Sequence, residues 1–443
     1  MTILIKIMQF VMSLSILVVI HEFGHYTMAK LFKTRVEKFY LFFDPWFSLF
    51  KYKKGETEYG IGWLPLGGYV KISGMIDESM DKEQMKLPPQ PWEFRSKSSW
   101  QRLLIMTGGV IFNFISAMLI FILVLFAWGE TYLPTANVKY GIVTDTVGYA
   151  IGLRNGDKIL TVDNQSVENF HEIPAYIVLN HRKTIQIERD EKVMNIDIPE
   201  EYIPKMLKGK GLIDVRIPFG PYLIETFGKK SPAKTAGVLL NDQIVGIDDK
   251  IFTYYDEFQK YLAENKDHPV VLNLLRKGEK LNISLKTDSV GMLGIGRSVP
   301  LDKIFDFKTL KYGFLQSIPA GINKGFKTIS DYLKQIPLIF SRHTKGYESL
   351  GGFISIGRIF PGVWDWQAFW NLTAFLSLIL AVMNILPIPA LDGGHVLFLL
   401  FEVITGKKPS DKFLEYAQIG GMIILLAILL FANGNDILKL IRK

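Results

Sequence analysis

The chain combines four long apolar stretches with polar segments of very different lengths. A helix that crosses a bilayer needs about 20 mostly apolar residues. Four stretches meet this criterion, at residues 3–31, 103–128, 369–386 and 416–432. The second contains no charged residue, and its length fits a tilted helix. No small-residue cleavage site follows the first, so it is predicted to stay attached. The pattern predicts a multi-pass α-helical membrane protein with four transmembrane helices.

An even number of spans places both termini and the long segment 130–368 on one side of the membrane. The loops on the other side, residues 34–102 and the loop after the third span, are basic. Their cations include Lys51, Lys53, Lys54, Arg95, Lys97, Arg102, Lys407, Lys408 and Lys412. Basic loops favour the cytoplasm, and large domains are translocated largely regardless of charge. We therefore expect cytoplasmic loops after helices 1 and 3, although the C-terminal LKLIRK favours the reverse orientation.

Residues 150–173 and 234–258 of the long segment repeat one pattern. A constant shift pairs Gly152 with Gly237, Asp157 with Asp242, Ile159 with Ile244, Asp163 with Asp248 and Glu172 with Glu257. Each copy contains a helix that ends at Gly, a turn, an alternating strand with an Asp-led hairpin, and a further helix. The repeat predicts two α+β modules. Residues 306–360 then become helical and amphipathic, which predicts a helix on the membrane surface.

Composition supports the membrane assignment and limits the chemistry. Hydrophobic residues make up 49% of the 443 residues and charged residues 21%. The chain has no cysteine, which excludes disulfides, iron–sulfur clusters and thiol catalysis. Any metal must therefore bind His, Asp or Glu side chains. The net charge of +8 is scattered among acidic residues, without a basic helix typical of nucleic-acid binding.

The sequence HEFGH, residues 21–25, places metal-binding side chains inside the first apolar stretch. His21 and His25 are four residues apart, so they share one face of a helix and can bind one zinc ion. Glu22 can then accept a proton from water at the metal. The alternative, two histidines at the interfacial end of a helix, is disfavoured because ionisable side chains are costly in lipid.

A catalytic zinc needs a third protein ligand, and Asp392 is the best candidate. It lies at the end of the third span, where two prolines break the helix and two glycines permit close backbone contact. A lone Asp before glycines is more often a turn or helix cap. Asp392 is, however, one of few charges near the predicted membrane boundary. His395 is a candidate neighbour of the metal or an ordinary polar helix residue.

Residues 58–74 are alternating, glycine-rich and apolar. This pattern predicts a β-hairpin that re-enters the membrane and offers an open edge for pairing with an unwound substrate. Irregular backbone is tolerated at membrane depth where it lines a cavity. The alternative is an ordinary cytoplasmic hairpin.

These motifs together resemble the site-2 proteases, which are intramembrane zinc metalloproteases, and in particular the bacterial regulator of sigma-E protease type. The resemblance includes HEFGH, PLGGYVK (65–71), GGVIFNF (108–114) and NILPIPALDGG (384–394). The repeated modules resemble tandem PDZ domains, through GLRNGDKILTVD (152–163). The resemblance covers essentially the whole chain.

The resemblance implies that His21, His25 and Asp392 bind one zinc ion, and that Glu22 is the general base. It also implies periplasmic PDZ domains in a bacterial inner-membrane protein. The expected substrate-binding residues are Asn384, Pro387, Gly67, Gly68, Tyr69 and Val70. Tyr140, Gly141, Ile142, Phe219 and Gly220 are the candidate PDZ peptide-binding loops. PDZ domains bind peptide C-termini on backbone N–H groups, although these modules could instead only shield the membrane part.

We therefore expect a zinc-dependent intramembrane endopeptidase that cleaves single-span membrane proteins after a first-site cleavage. Expected substrates are anti-sigma-factor-like proteins or signal-peptide remnants, and no nucleic-acid partner is expected. The alternative is a membrane-anchored PDZ scaffold without proteolytic activity. The expected domains are residues 1–128 (first two spans and β loop), 129–205 and 206–300 (PDZ domains), 301–368 (surface helices) and 369–443 (last two spans).

Overall fold

The computed structural model describes residues 2–65, 67–75, 87–208, 212–297, 299–341, 344 and 346–441. The chain divides into two compact units. The membrane unit comprises Met1–Glu130, Lys311–Ser341 and Lys345–Lys443, and the repeat unit comprises Thr131–Leu310 and Arg342–Thr344.

Helices dominate the membrane unit. They are α1 (Thr2–Leu31), α2 (Ser99–Trp128), α9 (Phe314–Phe340), α10 (Phe353–Ile359), α11 (Trp366–Ile385), α12 (Asp392–Thr405) and α13 (Asp411–Ile441). The repeat unit holds α3 (Thr146–Ile151), α4 (Ile173–Leu179), α5 (Ile203–Lys208), α6 (Pro232–Thr235), α7 (Tyr255–Glu264) and α8 (Leu301–Ile304).

The strands form small sheets in each unit. Those of the membrane unit are β1 (Val36–Leu41), β2 (Phe43–Lys54), β3 (Thr57–Leu64) and β4 (Tyr69–Ile72). The chain then forms β5 (Glu130–Tyr132), β6 (Ile142–Thr144), β7 (Lys158–Val162), β8 (Thr184–Arg189), β9 (Lys192–Asp197), β10 (Ile213–Val215), β11 (Tyr222–Leu223), β12 (Thr226–Phe227), β13 (Gln243–Ile247), β14 (Pro269–Arg276), β15 (Glu279–Lys286), β16 (Ile295–Gly296) and β17 (Lys308–Leu310).

Four helices of the described residues are long and apolar enough to cross a membrane: α1, α2, α11 and α13. Three of them contain a predicted apolar stretch completely, and α11 contains all of the third stretch except Leu386. The third predicted stretch ends at the two prolines, where α11 stops at Ile385. A separate 14-residue helix, α12, then begins at Asp392. The sequence pattern did not predict α12, since its apolar run is too short for a span.

The helices α1, α2 and α11 pack closely through small and hydroxyl-bearing residues. A Cβ added to Gly24 of α1 would lie 2.3 Å from the carbonyl oxygen of Gly108 in α2. Ser377 of α11 donates a hydrogen bond to the carbonyl of Asn113 (2.8 Å). Small interfacial residues let membrane helices approach until polar groups on different helices meet. This close packing brings α1, α2 and α11 around one site.

The long amphipathic helix α9 packs lengthwise against α2. The ring of Phe314 meets Phe126, and the ring of Phe326 meets Phe114 twelve residues earlier in α2. The two helices therefore run antiparallel. A Cβ on Gly321 would lie 2.6 Å from the backbone nitrogen of Ile122, so the backbones are close. This differs from the predicted helix on the membrane surface, because glycine lets α9 bury one face against a candidate span instead.

The first loop contains a four-stranded sheet in the order β2-β3-β1-β4. Residues 58–74 were predicted to form one hairpin, and this prediction is wrong. The central strand β1 pairs in parallel with β3 and antiparallel with β4, so it separates the two halves of that segment. The actual hairpin joins β2 and β3. Strand order across a crossover cannot be read from alternation alone. The predicted open edge is nevertheless present, because β4 is an outer strand.

The repeat unit contains two modules with similar strand pairing, although the main sheet of the second has one additional strand, β11. In the first, β10 pairs antiparallel with β6, and in the second, β16 pairs antiparallel with β12. The final strand of each module thus returns to a strand near the start of that module. The expected boundary between residues 205 and 206 is therefore misplaced, since residues 213–215 belong to the first module. Residues 301–310 likewise belong to the repeat unit and not to the following surface helices.

The aligned Asp residues of the two modules make equivalent buried contacts. Asp157 binds the Arg189 guanidinium (2.6 Å), and Asp242 binds that of Arg276 (2.7 Å). In both modules the same Arg donates to the carbonyl of the aligned glycine, Gly152 or Gly237. The repeat in the sequence therefore corresponds to a repeat in three dimensions.

Candidate metal centre

Three side chains from opposite ends of the chain meet inside the membrane unit. The Oδ2 atom of Asp392 lies 3.1 Å from Nε2 of His21 and 3.3 Å from Nε2 of His25. The two imidazole Nε2 atoms are 3.2 Å apart. Helix α1 supplies both histidines on one face, and the first turn of α12 supplies the aspartate. The three atoms form a nearly equilateral triangle.

Helix α2 positions both imidazoles from one side. The carbonyl of Ile105 accepts a hydrogen bond from Nδ1 of His25 (2.9 Å), which leaves Nε2 as a lone-pair donor toward a metal. A Cβ on Gly109 would lie 2.5 Å from Cε1 of His21 and 2.5 Å from Nε2 of His25. Only glycine therefore fits at this position of α2. Both imidazoles are buried.

The donor set fits zinc. In a tetrahedral site with bonds of about 2.0–2.1 Å, neighbouring ligand atoms are about 3.3 Å apart. The three atoms here are separated by 3.1–3.3 Å. The Oδ2 atom of Asp392 is buried and accepts no hydrogen bond. A buried carboxylate oxygen without a donor is costly unless a cation binds it. Two neutral imidazoles and one carboxylate are a known catalytic zinc ligand set.

A cavity of about 620 Å³ opens beside the three candidate ligands. Its lining includes Glu22, which follows His21 on α1 and is partly exposed to the cavity. Helix α12 contributes His395 as a further lining residue. The arrangement offers a candidate metal site, a carboxylate base and space for a substrate in one place.

The edge strand β4 borders the same cavity. Gly68, Tyr69 and Val70 are among its lining residues, together with His21, Glu22, His25 and Asp392. Gly68 lies against α1: an added Cβ would be 2.7 Å from Val18 Cγ1 and 3.3 Å from Glu22 Cγ. Tyr69 donates a hydrogen bond to Asp44 (2.8 Å) and stacks on Tyr40. The structure therefore brings the predicted strand residues to the metal centre, apart from Gly67, which is not part of the described lining.

The remaining predicted substrate residues lie at the end of α11. Nδ2 of Asn384 is 3.3 Å from Nε2 of His21, so this amide reaches the metal centre itself. Pro387 follows the helix end and is exposed, and it is not among the described residues that line the cavity. Asn384 therefore remains a candidate for contact with the reacting group. Pro387 lies beyond the last residue of α11, and its assignment to substrate binding stays a prediction.

The predicted peptide-binding loops of the modules do not offer free N–H groups at three of their five residues. The N–H of Gly141 donates to Val138, that of Ile142 to Asp157, and that of Phe219 to Thr253. Ile142 and Phe219 are also buried. A carboxylate receptor needs backbone donors that point to solvent. The sequence could not reveal which N–H groups internal pairing uses, and the assignment of these five residues to peptide binding stays a prediction. Tyr140 packs on Tyr254, and Gly220 borders an open pocket.

Sequence reasoning missed Asn113, which contacts the metal centre from α2. Its Nδ2 lies 3.2 Å from Nδ1 of His21, and the side chain is completely buried. The signal that could have found it is a lone carboxamide in a span with no charged residue. A polar side chain at that depth needs a polar partner.

Comparison with known proteins relates the whole chain to one family. Residues 9–428 match the family model described as peptidase family M50. A Rickettsia conorii protein named as a zinc metalloprotease is 28% identical over 445 residues, covering 99% of both chains. A Borreliella burgdorferi protein named in the same way is 28% identical over 96% of this chain and 97% of its own. The regulator of sigma E protease of Salmonella typhimurium is 26% identical over 99% of this chain and 100% of its own.

Proposed function

The chain belongs to peptidase family M50, the site-2 protease family of zinc metalloendopeptidases, and from this premise we propose that it cleaves single-span membrane proteins within the bilayer. The observation that carries the proposal is the meeting of His21, His25 and Asp392 beside a cavity that also contains Glu22. The family assignment favours an enzyme over a scaffold without activity.

We assign His21, His25 and Asp392 as the ligands of one zinc ion per chain. They form the one cluster of His, Asp or Glu side chains in the described part of the chain whose ligand atoms are close enough to share a metal. When bound, zinc supplies Lewis acidity to the scissile carbonyl and to the attacking water. Glu22 accepts the proton of that water and then delivers it to the leaving nitrogen. We assign Asn384 to hold the scissile carbonyl group, and the 3.3 Å distance between its Nδ2 and Nε2 of His21 supports this role.

The edge strand β4 is the proposed docking element for the substrate. A transmembrane helix hides its carbonyls in its own hydrogen bonds, so cleavage requires local unwinding. An unwound segment can pair with the open side of β4, whose residues Tyr69 and Val70 line the cavity together with the preceding Gly68. This supports a re-entrant position for the sheet, since an extended substrate then meets the strand and the metal centre together.

We propose that the two modules of the repeat unit are PDZ domains that lie in the periplasm, on the side opposite the basic loops. The repeated strand pairing and the equivalent Asp–Arg contacts support a shared module fold. The two modules either restrict the access of long substrates or bind substrate C-termini. The N–H groups of Gly141, Ile142 and Phe219 already have internal partners, which favours the first of these two roles at those loops.

The proposed substrates are membrane-bound anti-sigma-factor-like proteins, already shortened by a first cleavage, and signal-peptide remnants. The name of the Salmonella typhimurium relative connects that protein with sigma-E regulation, which supports this class. A bacterial inner-membrane location follows from the four apolar helices and the relatives.

The replacement Glu22→Gln tests the assignment. It keeps the size and polarity of the side chain but removes the base, and a general base contributes about 10²–10⁴-fold to rate. We expect unchanged zinc content, measured by elemental analysis, and cleavage of a single-span model substrate lowered by at least about 10²-fold. Glu56→Gln, at an exposed partner of Lys30 in the first loop, is the matched control. Normal cleavage by Glu22→Gln would exclude the proposed base.

A further inference from the structure

We propose that Asn113 is a positioning residue that accepts a hydrogen bond from Nδ1 of His21 and so presents Nε2 of that imidazole to the zinc ion. This inference rests on the proposed function, because it assigns a role next to one of the proposed ligands. Nδ1 of His21 faces Asn113, and its Nε2 faces Asp392 and His25.

The Asn113 side chain is anchored and its oxygen lacks a partner. The residue is fully buried in α2, and its backbone carbonyl accepts a hydrogen bond from Ser377 of α11. The Oδ1 atom is buried and accepts no hydrogen bond, while Nδ2 is turned toward His21. Rotation of the carboxamide by half a turn exchanges these two atoms with almost no change in shape.

The requirement for a zinc ligand selects one of the two orientations. If Nδ2 of Asn113 donates to Nδ1 of His21, the hydrogen of the neutral imidazole must sit on Nε2, which then cannot bind a metal. If Oδ1 faces Nδ1 instead, Nδ1 carries the hydrogen and donates it, and Nε2 keeps its lone pair. The second orientation also gives the buried oxygen a hydrogen-bond donor.

The neighbouring ligand already shows the same arrangement. Nδ1 of His25 donates to the carbonyl of Ile105, eight residues before Asn113 in α2. With Asn113 rotated, α2 supplies one acceptor to each imidazole. Both Nε2 atoms then direct their lone pairs toward the centre of the triangle that they form with Oδ2 of Asp392. Such acceptors fix the tautomer and orientation of metal-binding histidines, and their loss costs about 10–100-fold in metal affinity.

The decisive variants are Asn113→Asp and Asn113→Leu. A carboxylate can only accept a hydrogen bond, so Asn113→Asp should bind zinc within about threefold of the wild type or more tightly. Leucine can accept none, so Asn113→Leu should lose about 10–100-fold in zinc affinity. Affinity is measured on the full chain in detergent, by competition with a chromophoric chelator. Asn371→Leu, at an amide in α11 that donates to the carbonyl of Gln367, is the matched control.

Each outcome decides the inference. The inference is supported if Asn113→Asp retains the zinc affinity of the wild type and Asn113→Leu loses it. A tenfold or greater loss in Asn113→Asp overturns it, because that result requires the wild-type amide to act as a donor. Wild-type affinity in Asn113→Leu overturns it as well. If Asn113→Leu does not fold, the zinc affinity of Asn113→Asp relative to the wild type still tests the inference. A wild-type protein without stoichiometric zinc would instead refute the proposed function.

A second, independent observation concerns the hairpin of β2 and β3. Trp46 is 91% exposed, and Phe47, Leu49 and Phe50 are more than half exposed. Towards the tip, β2 ends in Lys51, Lys53 and Lys54. Within the described residues, none of these three lysines has a carboxylate within 4 Å. We name these seven residues the hairpin surface.

The hairpin of β2 and β3, which carries this surface, extends along α1 from the candidate metal centre to the end of the helix. Phe43 and Pro45, at the start of β2, line the cavity that contains His21. Glu56, at the tip, forms an ion pair with Lys30 in the last turn of α1. Nine residues of helix separate His21 from Lys30, which is about 14 Å. The aromatic residues therefore lie nearer the depth of the metal centre, and the lysines lie at the level where α1 ends.

We infer that the hairpin surface binds anionic phospholipid, with its aromatic side chains among acyl chains and its lysines on the headgroups. This rests on the proposal that α1 spans the membrane. Aromatic residues beside unpaired lysines are typical of surfaces at the membrane interface, and each such lysine contributes about 1 kcal/mol toward anionic lipid. Charge complementarity selects an anionic headgroup over a neutral one.

The test compares the wild type with the triple variant Lys51→Gln, Lys53→Gln and Lys54→Gln. Nanodiscs contain phosphatidylcholine alone or mixed with phosphatidylglycerol. Phosphatidylglycerol should raise the unfolding temperature of the wild type and co-purify with it, and both effects should decrease in the triple variant. The control is Lys266→Gln, Lys277→Gln and Lys280→Gln in the repeat unit. Equal changes of unfolding temperature and equal co-purification of phosphatidylglycerol in all three proteins would overturn the inference. A separate binding assay in phosphatidylcholine nanodiscs tests an acidic protein as the partner instead. Binding of such a protein that depends on the three lysines would also overturn the inference.

Discussion

At the scale of single residues, Gly109 allows α2 to approach the candidate metal centre closely, because it has no side chain. A methyl group there would lie within 2.5 Å of atoms of both imidazoles. We expect Gly109→Ala to displace His21 and His25 and to lower zinc affinity by at least about tenfold, because small displacements of ligands are costly in a preorganised site. Zinc content after dialysis against a chelator measures the effect. Gly434→Ala, where an added Cβ meets no atom within 4 Å, should behave as the wild type.

The Asp242–Arg276 pair makes the second module sensitive to acid. The hydrogen bonds from Arg276 lower the pKa of the Asp242 carboxyl below its ordinary value. A lowered folded-state pKa gives stability that is fully present above the unfolded pKa of about 3.9 and is lost as the pH falls below it. We expect Asp242→Asn to destabilise the module by roughly 1–3 kcal/mol at neutral pH. The difference from the wild type should disappear as the pH falls through and below about 4.

Hydrogen exchange of the second module, measured on the full chain at several pH values, checks this expectation. Asp249→Asn, at an exposed neighbouring carboxylate, is the control and should have little effect. A destabilisation by Asp242→Asn that stays constant down to strongly acidic pH would contradict the role of the carboxylate charge.

At the scale of elements, β4 and β2 are the two outer strands of one sheet, but only β4 is proposed to bind substrate. We expect Val70→Pro to impair cleavage, since proline removes a backbone donor and distorts the strand. Zinc content should be unchanged, because Val70 is not a ligand. Val193→Pro, at an exposed position of the outer strand β9 in the repeat unit, is the matched control. The measurement is the turnover of a single-span substrate, and equal turnover in both folded variants would exclude docking on β4.

The predictability of the elements depended on how local their pattern is. The spans and the HExxH helix were predicted because apolar length and an i, i+4 spacing are properties of one segment. The order of β1, β3 and β4 was not predicted, because a parallel pair and its crossover leave no signature in alternation. The close packing of α9 on α2 was missed for a related reason: Gly321 is visible in the sequence, but the helix it faces is not.

The candidate site shows the same limit. His21 and His25 were found from their spacing, whereas Asp392 was proposed as the third ligand with the help of its position at a helix break. Asn113 was overlooked, although it is a lone carboxamide in an uncharged span. Its role depends on the distance to His21, more than 90 residues earlier, and no local pattern encodes that distance. The return of β10 to the first module is another long-range pairing of this kind.

At the scale of the whole molecule, one arginine connects the two modules of the repeat unit. Arg216 lies 3.7 Å from the centre of the Tyr254 ring and 3.0 Å from Oδ1 of Asp256. Asn155 of the first module donates to the same Asp256 (2.9 Å). A partly buried guanidinium that makes a bidentate ion pair and stacks on a ring is not readily replaced. The modules should therefore move as one body.

We expect Arg216→Ala to loosen this connection without unfolding either module. Spin labels at Lys192→Cys and Lys280→Cys, one in each module, would report the distance between them, because the chain has no native cysteine. The distance distribution should be narrow in the otherwise wild-type protein and broader after Arg216→Ala. Lys260→Ala, at an exposed lysine, should leave it narrow. A distribution unaffected by Arg216→Ala would show that other contacts hold the modules.

The distribution of the three candidate ligands along the chain has a consequence for biogenesis. The two histidines are synthesised with the first helix, but the aspartate follows more than 360 residues later. A nascent chain therefore passes through almost its entire insertion with an incomplete coordination set. On the proposed ligand assignment, zinc-dependent hydrolysis requires the segment that carries Asp392 to join the first helix, so the order of translation delays proteolytic activity until Asp392 has been synthesised.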